Sequence, residues 1–250
     1  MNSSVFSVVK INFRLDFYNI GTCIYPDIIT FAIMINISKY KAFIFDLNGT
    51  MIDDMPFHIN AWREKVNNLG ANLTYEETKL QCYGKNEELL ERVFPNRFTT
   101  EEKTKLGKEK ELLYYDVYKP HMKLLNGLQE ILDSAKAKGI KMAIGSAAMM
   151  QNVNFILDNL NLHHYFDAIV SADDVILSKP HPETFLKAAQ LLNISPQDCL
   201  VFEDSPKGIE AAQKANMDGY VLTTMHQMVD FKMYKNVKGF GEDFSLLDFK

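Results

Sequence analysis

The sequence predicts an α/β protein, a doubly wound parallel sheet with an α-helical cap inserted after its first strand. Three observations carry this expectation. From Leu128 onward, short apolar runs alternate with segments of helical periodicity, as strands joined by crossover helices do. The run Ala42-Phe43-Ile44-Phe45 ends abruptly in Asp46-Leu47-Asn48-Gly49-Thr50, as a strand buried on both faces ends in a turn. Between about 55 and 124 only helical patterns occur. The expected organisation is an α/β core at 34–54 and 125–250, with the cap at 55–124.

Within the cap, Phe57, Ala61, Trp62, Val66 and Leu69 recur at three- and four-residue spacing, and Gly70 ends that helix. Thr74-Tyr75-Glu76-Glu77 has the form of a capping box and opens a short helix. Leu89, Leu90 and Val93 make 86–94 a third, stopped by Pro95. Thr99-Thr100-Glu101-Glu102 is a second capping box, leading into a long charged helix that runs to about Tyr118. The alternating region then gives helices at 128–138, 152–160, 182–192 and 206–215, and strands at 140–144, 168–171, 199–202 and 220–222.

With 250 residues, 47% apolar and 24% charged, the chain can bury a full core. Its net charge of −5 argues against sequence-independent nucleic-acid binding, which needs a basic face. Cys23, Cys82 and Cys199 lie far apart, as free thiols in a reducing cytoplasm do. Residues 1–33 are expected to form neither a membrane span, because Pro26 and Asp27 interrupt their most apolar part, nor a secretory signal. Met34 opens a segment running straight into the first strand, so the natural start is expected there, with 1–33 adding nothing to the fold. No membrane partner is expected, and the oligomeric expectation is a monomer or weak dimer.

Polar residues cluster just past strand ends: Asp46, Asn48, Ser146, Lys179, Glu203 and Asp204. In a parallel sheet such positions converge on one rim. Singly, each has an ordinary alternative. Asp46 could be a solvated turn residue, Ser146 a helix cap, Lys179 a surface lysine, and Glu203-Asp204 a capping pair for the helix at Pro206. Together they describe phosphoryl chemistry. Carboxylates hold Mg²⁺, a lysine and a hydroxyl bind phosphate oxygens, and a carboxylate can form an aspartyl-phosphate.

Four motifs occur in order: DLNGT at 46–50, GS at 145–146, SKPHPETF at 178–185 and FEDSPKGIEAA at 202–212. With them, the chain over about 41–224 resembles the haloacid dehalogenase superfamily, specifically its β-phosphoglucomutase-like branch with a Rossmann-like core and helical cap. The resemblance implies that Asp46 is the nucleophile and a Mg²⁺ ligand, and that Asn48 gives its backbone carbonyl to the metal. It further implies that Ser146 and Lys179 hold the transferring phosphoryl group, while Glu203 and Asp204 complete the metal site. His58 and Trp62 match cap-helix residues near the substrate. The substrate-side candidates are Gly49, Thr50, Asp54, His58, Trp62, Lys85 and Ala147, with Asn60 a further cap candidate.

The chain departs from the pattern at Asn48, where the family carries an acid/base Asp. An amide cannot carry the catalytic proton. Ala148 and Met149 stand where Ser and Lys are expected, and Glu87 near an expected arginine, a charge that Lys85 could supply. Asp54 could reach a leaving group or could cap the helix that follows it. The expectation is a cytoplasmic, Mg²⁺-dependent phosphohydrolase or phosphotransferase acting on a small, sugar-phosphate-like metabolite. Alternatives are β-phosphoglucomutase-type transfer, pyrophosphatase or acyl-phosphatase activity, or a weakened phosphometabolite-binding protein. Dehalogenation ranks lower, because Glu203-Asp204 suits Mg²⁺.

Overall fold

The computed structural model describes residues 37–247. The expectations for 1–33, and for Met34 as the start, lie outside them. The first apolar run forms β1 (Ala42–Phe45), and the chain then leaves the sheet for four helices. These are α1 (Met55–Asn68), α2 (Tyr75–Lys79), α3 (Asn86–Val93) and α4 (Thr100–Tyr118). Capping boxes at Thr74 and Thr99 open α2 and α4, their hydroxyls accepting from the Glu77 and Glu102 amides. The outgoing and returning segments run side by side. Ile52 bridges Leu124 in antiparallel fashion, and the Leu125 amide donates to the Met51 carbonyl at 2.9 Å.

The alternating half gives α5 (Leu128–Ala137), β2 (Lys141–Gly145), α6 (Met150–Leu160), β3 (Ala168–Val170), α7 (Glu183–Leu192) and β4 (Cys199–Glu203). It ends with α8 (Pro206–Lys214), β5 (Asp218–Leu222) and β6 (Val237–Gly241). The sheet order is β3-β2-β1-β4-β5-β6, and every neighbouring pair is parallel. β1 is therefore interior, paired with β2 on one side and β4 on the other. β6 is the strand that the sequence reading left out. Its sequence, VKGFG, carries a lysine and two glycines and so lacks an apolar run.

The two faces of the sheet are packed differently. Phe43 and Phe45 of β1 join Leu200 and Phe202 of β4 in a cluster covered by α5, α6 and the tyrosines of α4. Ala42, Ile44, Ala143, Cys199 and Val201 point the other way, against α7 and α8. Alternation along each strand produces this split. Phe45 and Phe202 stack at 4.7 Å with an interplanar angle of 9°, and Phe43 meets Phe202 edge-on at 5.4 Å.

Phe202→Ala should therefore lower unfolding free energy by about 3–5 kcal/mol, because the cavity opens between two fixed strands. Leu112→Ala, at a 58% exposed position on α4, should stay within about 0.5 kcal/mol. Urea denaturation of both variants checks this contrast, and equal losses would contradict it.

Candidate active site

Asp46 continues β1 one step past the strand, its amide donating to the Phe202 carbonyl at 3.0 Å. Register with β4 then sets Glu203 and Asp204 beside it on the carboxyl rim. One carboxylate oxygen from each of Asp46, Glu203 and Asp204 lies within 4.8 Å of the others, and all three residues are buried. Lys179, from the loop before α7, places Nζ 2.6 Å from Asp46 Oδ1 and 2.9 Å from Glu203 Oε1. Only 6% exposed, it is no surface lysine. Glu203 Oε2 accepts from the Ser205 amide at 2.6 Å and the Ser205 hydroxyl at 2.9 Å. It is Ser205, accepting from the Gly208 amide, that caps α8.

Two glycines of the motifs are required by these carboxylates. A Cβ at Gly208 would sit 1.7 Å from Glu203 Oε1. Gly49 has φ +76°, and a Cβ there would sit 2.3 Å from Asp204 Oδ2. The Gly49 carbonyl is held by the Thr224 hydroxyl at 2.6 Å, a contact from just past β5 that the sequence reading did not anticipate.

Ser146 follows β2, and its amide donates to the Val170 carbonyl at 2.9 Å. Its Oγ accepts from the Ala148 amide at 3.0 Å, which leaves the hydroxyl proton free to donate. The cap position of α6 belongs to Met149, so Ser146 is not a helix cap.

Burial pushes the Asp46 carboxyl up to about 7, with Lys179 pulling against it and Glu203 adding to it. Burial and the two neighbouring carboxylates hold Asp204 well above its usual range. Burial alone would lower Lys179, but Asp46 and Glu203 keep it above its ordinary value. Three carboxylates facing one ammonium form a hard, oxygen-rich and anionic donor set, which fits a divalent cation such as Mg²⁺. Both Glu203 oxygens are engaged by Lys179 and Ser205, so Asp46 and Asp204 are the freer donors.

The cap closes over this rim and leaves a cavity of about 160 Å³. Asp46, Asn48, Ser146, Ala147, Lys179, Glu203 and Asp204 line its sheet side, and His58, Trp62 and Lys85 line its cap side. Gly49, Thr50 and Asp54 do not lie on its wall. Gly49 serves the turn against Asp204, while Thr50 and Asp54 are wholly buried. Asp54 stands at the position before α1 but makes no capping bond; it accepts from Asn48 Nδ2 at 2.6 Å and the Tyr114 hydroxyl at 2.6 Å. Lys85 reaches the cavity, and its Nζ donates to the Val175 carbonyl at 2.6 Å, a neutral acceptor that anchors the ammonium without cancelling its charge. Alongside it, the Ser178 hydroxyl donates to Glu88 Oε1 at 2.5 Å, a second tie between cap and core. Asn60 is exposed and away from the cavity.

The sequence reading missed Lys110, Glu111 and Tyr114, which lay in a helix that looked uniformly solvated. Lys110 Nζ sits 2.9 Å from His58 Nδ1 and 2.7 Å from Glu111 Oε1, and Tyr114 stacks on the His58 ring at 3.8 Å. The available signal was the pair Tyr114 and Tyr118, one helical turn apart among charged residues.

Residues 43–221 match the model of the haloacid dehalogenase-like hydrolases. A fructose-1-phosphate phosphatase of Escherichia coli is 31% identical over 180 residues, covering 72% of this chain and 95% of that protein. A β-phosphoglucomutase of Bacillus subtilis is 32% identical, covering 71% of this chain and 80% of its own length. Among solved structures, a β-phosphoglucomutase from Clostridium difficile superposes with a TM-score of 0.74 at 29% identity, covering 84% of this chain and 94% of that one.

The raised Asp46 and Asp204 carboxyls imply a pH dependence. Their folded values exceed the unfolded ones, so between the two values the folded state holds more protons and stability falls as pH rises. In EDTA, the urea midpoint should drop between pH 5 and pH 8, and Asp204→Asn should flatten that drop. A midpoint that rises over this range from these groups would contradict the assignment.

Proposed function

Because this chain belongs to the haloacid dehalogenase-like hydrolases, as a phosphatase-type enzyme, we propose that it uses Mg²⁺ and an aspartyl-phosphate on Asp46 to remove or transfer the phosphoryl group of a small, sugar-phosphate-like metabolite. The observation that carries this reading is Lys179 bonded to both Asp46 and Glu203, with Asp204 beside them, at the floor of a cap-walled cavity. The relatives support the substrate class. One is named a fructose-1-phosphate phosphatase, and another, from Thermotoga maritima and 29% identical, a phosphorylated carbohydrates phosphatase.

In this reading an Asp46 carboxylate oxygen attacks phosphorus, and the bond to the leaving oxygen breaks with its electron pair on that oxygen. The Lys179 ammonium and the Ser146 hydroxyl hold the phosphoryl oxygens as charge spreads over them. Water, or an acceptor hydroxyl, then attacks the aspartyl-phosphate and regenerates Asp46. Asp46 and Asp204, with the Asn48 carbonyl, would hold Mg²⁺, which supplies positive charge toward the phosphoryl group. Glu203 orients Lys179 through the 2.9 Å contact. In this reading cap closure excludes water from the site, and His58 and Trp62, on the cap side of the cavity, shape the space for the leaving group.

The test is a panel of p-nitrophenyl phosphate, sugar phosphates, phosphoglycolate, acetyl phosphate and pyrophosphate with purified protein. Turnover should require Mg²⁺ and stop in EDTA, Asp46→Asn should abolish it, and Lys179→Ala should lower kcat by about 10²–10³. Tight binding of a phosphometabolite with no turnover would replace this reading with that of a binding protein.

A further inference from the structure

The turn after β1 sets an amide on the cavity wall with a buried carboxylate behind it. Asn48 Nδ2 lies 2.6 Å from Asp54 Oδ2. Every polar contact of Asp54 is with a donor: Asn48 and the Tyr114 hydroxyl on Oδ2, the Gly49 amide on Oδ1 at 3.2 Å, and His58 Nε2 at 3.3 Å. These contacts fix which way the amide points. Reversed, Asn48 Oδ1 would face Asp54 Oδ2 at the same 2.6 Å, acceptor against acceptor. His58 Nε2 lies beside both groups, 3.1 Å from Asn48 Nδ2 and 3.3 Å from Asp54 Oδ2. With Lys110 donating to Nδ1 at 2.9 Å, the ring proton is on Nε2, where Asp54 is its acceptor. It is therefore the shorter 2.6 Å Asn48–Asp54 contact that sets the amide. Asn48 lines the cavity, and with Nδ2 turned to Asp54 its Oδ1 is the amide atom that accepts no hydrogen bond among the described residues.

We propose that Asp54 is a positioning residue that holds the Asn48 amide with Oδ1 toward the reacting group. Residue 48 then accepts a hydrogen bond from the incoming water or hydroxyl and delivers no proton to the leaving oxygen. This rests on the phosphoryl-transfer reading above and narrows its substrate class. Leaving oxygens of low basicity are favoured, such as those of acyl, aryl and anomeric sugar phosphates, over the primary alkoxide of a sugar phosphate esterified at a CH₂OH group. The missing proton donor is worth about 10²–10⁴-fold to the latter. The same geometry makes Asn at 48 dependent on Asp at 54, because an aspartate at 48 would set two carboxylates 2.6 Å apart in a buried site.

The experiment measures kcat/KM with Mg²⁺ for p-nitrophenyl phosphate, glucose 1-phosphate and glucose 6-phosphate in the wild type, N48D, D54N and N48D/D54N, with urea unfolding of each. The wild type should decline steeply along that order of leaving groups. N48D alone should lose stability and gain little. The exchanged pair N48D/D54N keeps one acid and one amide in contact, so it should recover stability and raise glucose 6-phosphate relative to p-nitrophenyl phosphate by about 10²–10⁴-fold. An unchanged leaving-group ratio in the double variant, or additive effects of the two substitutions on stability, would overturn the proposal. Failure of the wild type on all three substrates would sink the phosphoryl-transfer reading. The unfolding cycle would then decide the pair alone, coupling supporting the lock and additivity overturning it.

Discussion

A single ammonium group allows three carboxylates to share the buried rim of this sheet. Asp46, Glu203 and Asp204 approach within 4.8 Å at the ends of adjacent strands, an arrangement that like charges oppose in a low-dielectric site. Lys179 offsets it by bonding two of the three at once. Other local choices follow from this cluster. Gly49 and Gly208 lack a Cβ because Asp204 and Glu203 occupy that space, and Ser205 takes up the second oxygen of Glu203 while capping α8. The motif letters thus record a packing problem around charge as much as a list of chemical groups.

How legible this was depended on whether a residue's environment is set locally. Strands β1 and β4 are continuous apolar runs that end in polar residues, and their parallel pairing brings Asp46, Glu203 and Asp204 to one rim, so fold class and site floor could be read from the chain. The match of 43–221 to the haloacid dehalogenase-like hydrolases agrees with the resemblance drawn from the four motifs. β6 was not legible, because its glycines fit an edge position that only the finished sheet defines. Lys110 and Glu111 were not either. In a helix dense with lysine and glutamate, only the spacing of Tyr114 and Tyr118 marks the face on which these two are 1% and 3% exposed. Lys85 shows the converse: its charge was visible in sequence, but its acceptor, the Val175 carbonyl, is ninety residues away.

The way the cap is attached has a mechanical consequence. Its two connections to the sheet are bonded to each other at Ile52–Leu124 and Leu125–Met51, so they resist being pulled apart or sheared. On the far side of the cavity, Lys85–Val175 and Glu88–Ser178 tie cap to core, and Ser178 directly precedes Lys179 in the chain. Any rotation of the cap away from the sheet parts both ties, and one of them adjoins Lys179 in the chain. Cap and core are thereby joined at the same loop that balances the charge of the carboxylate cluster.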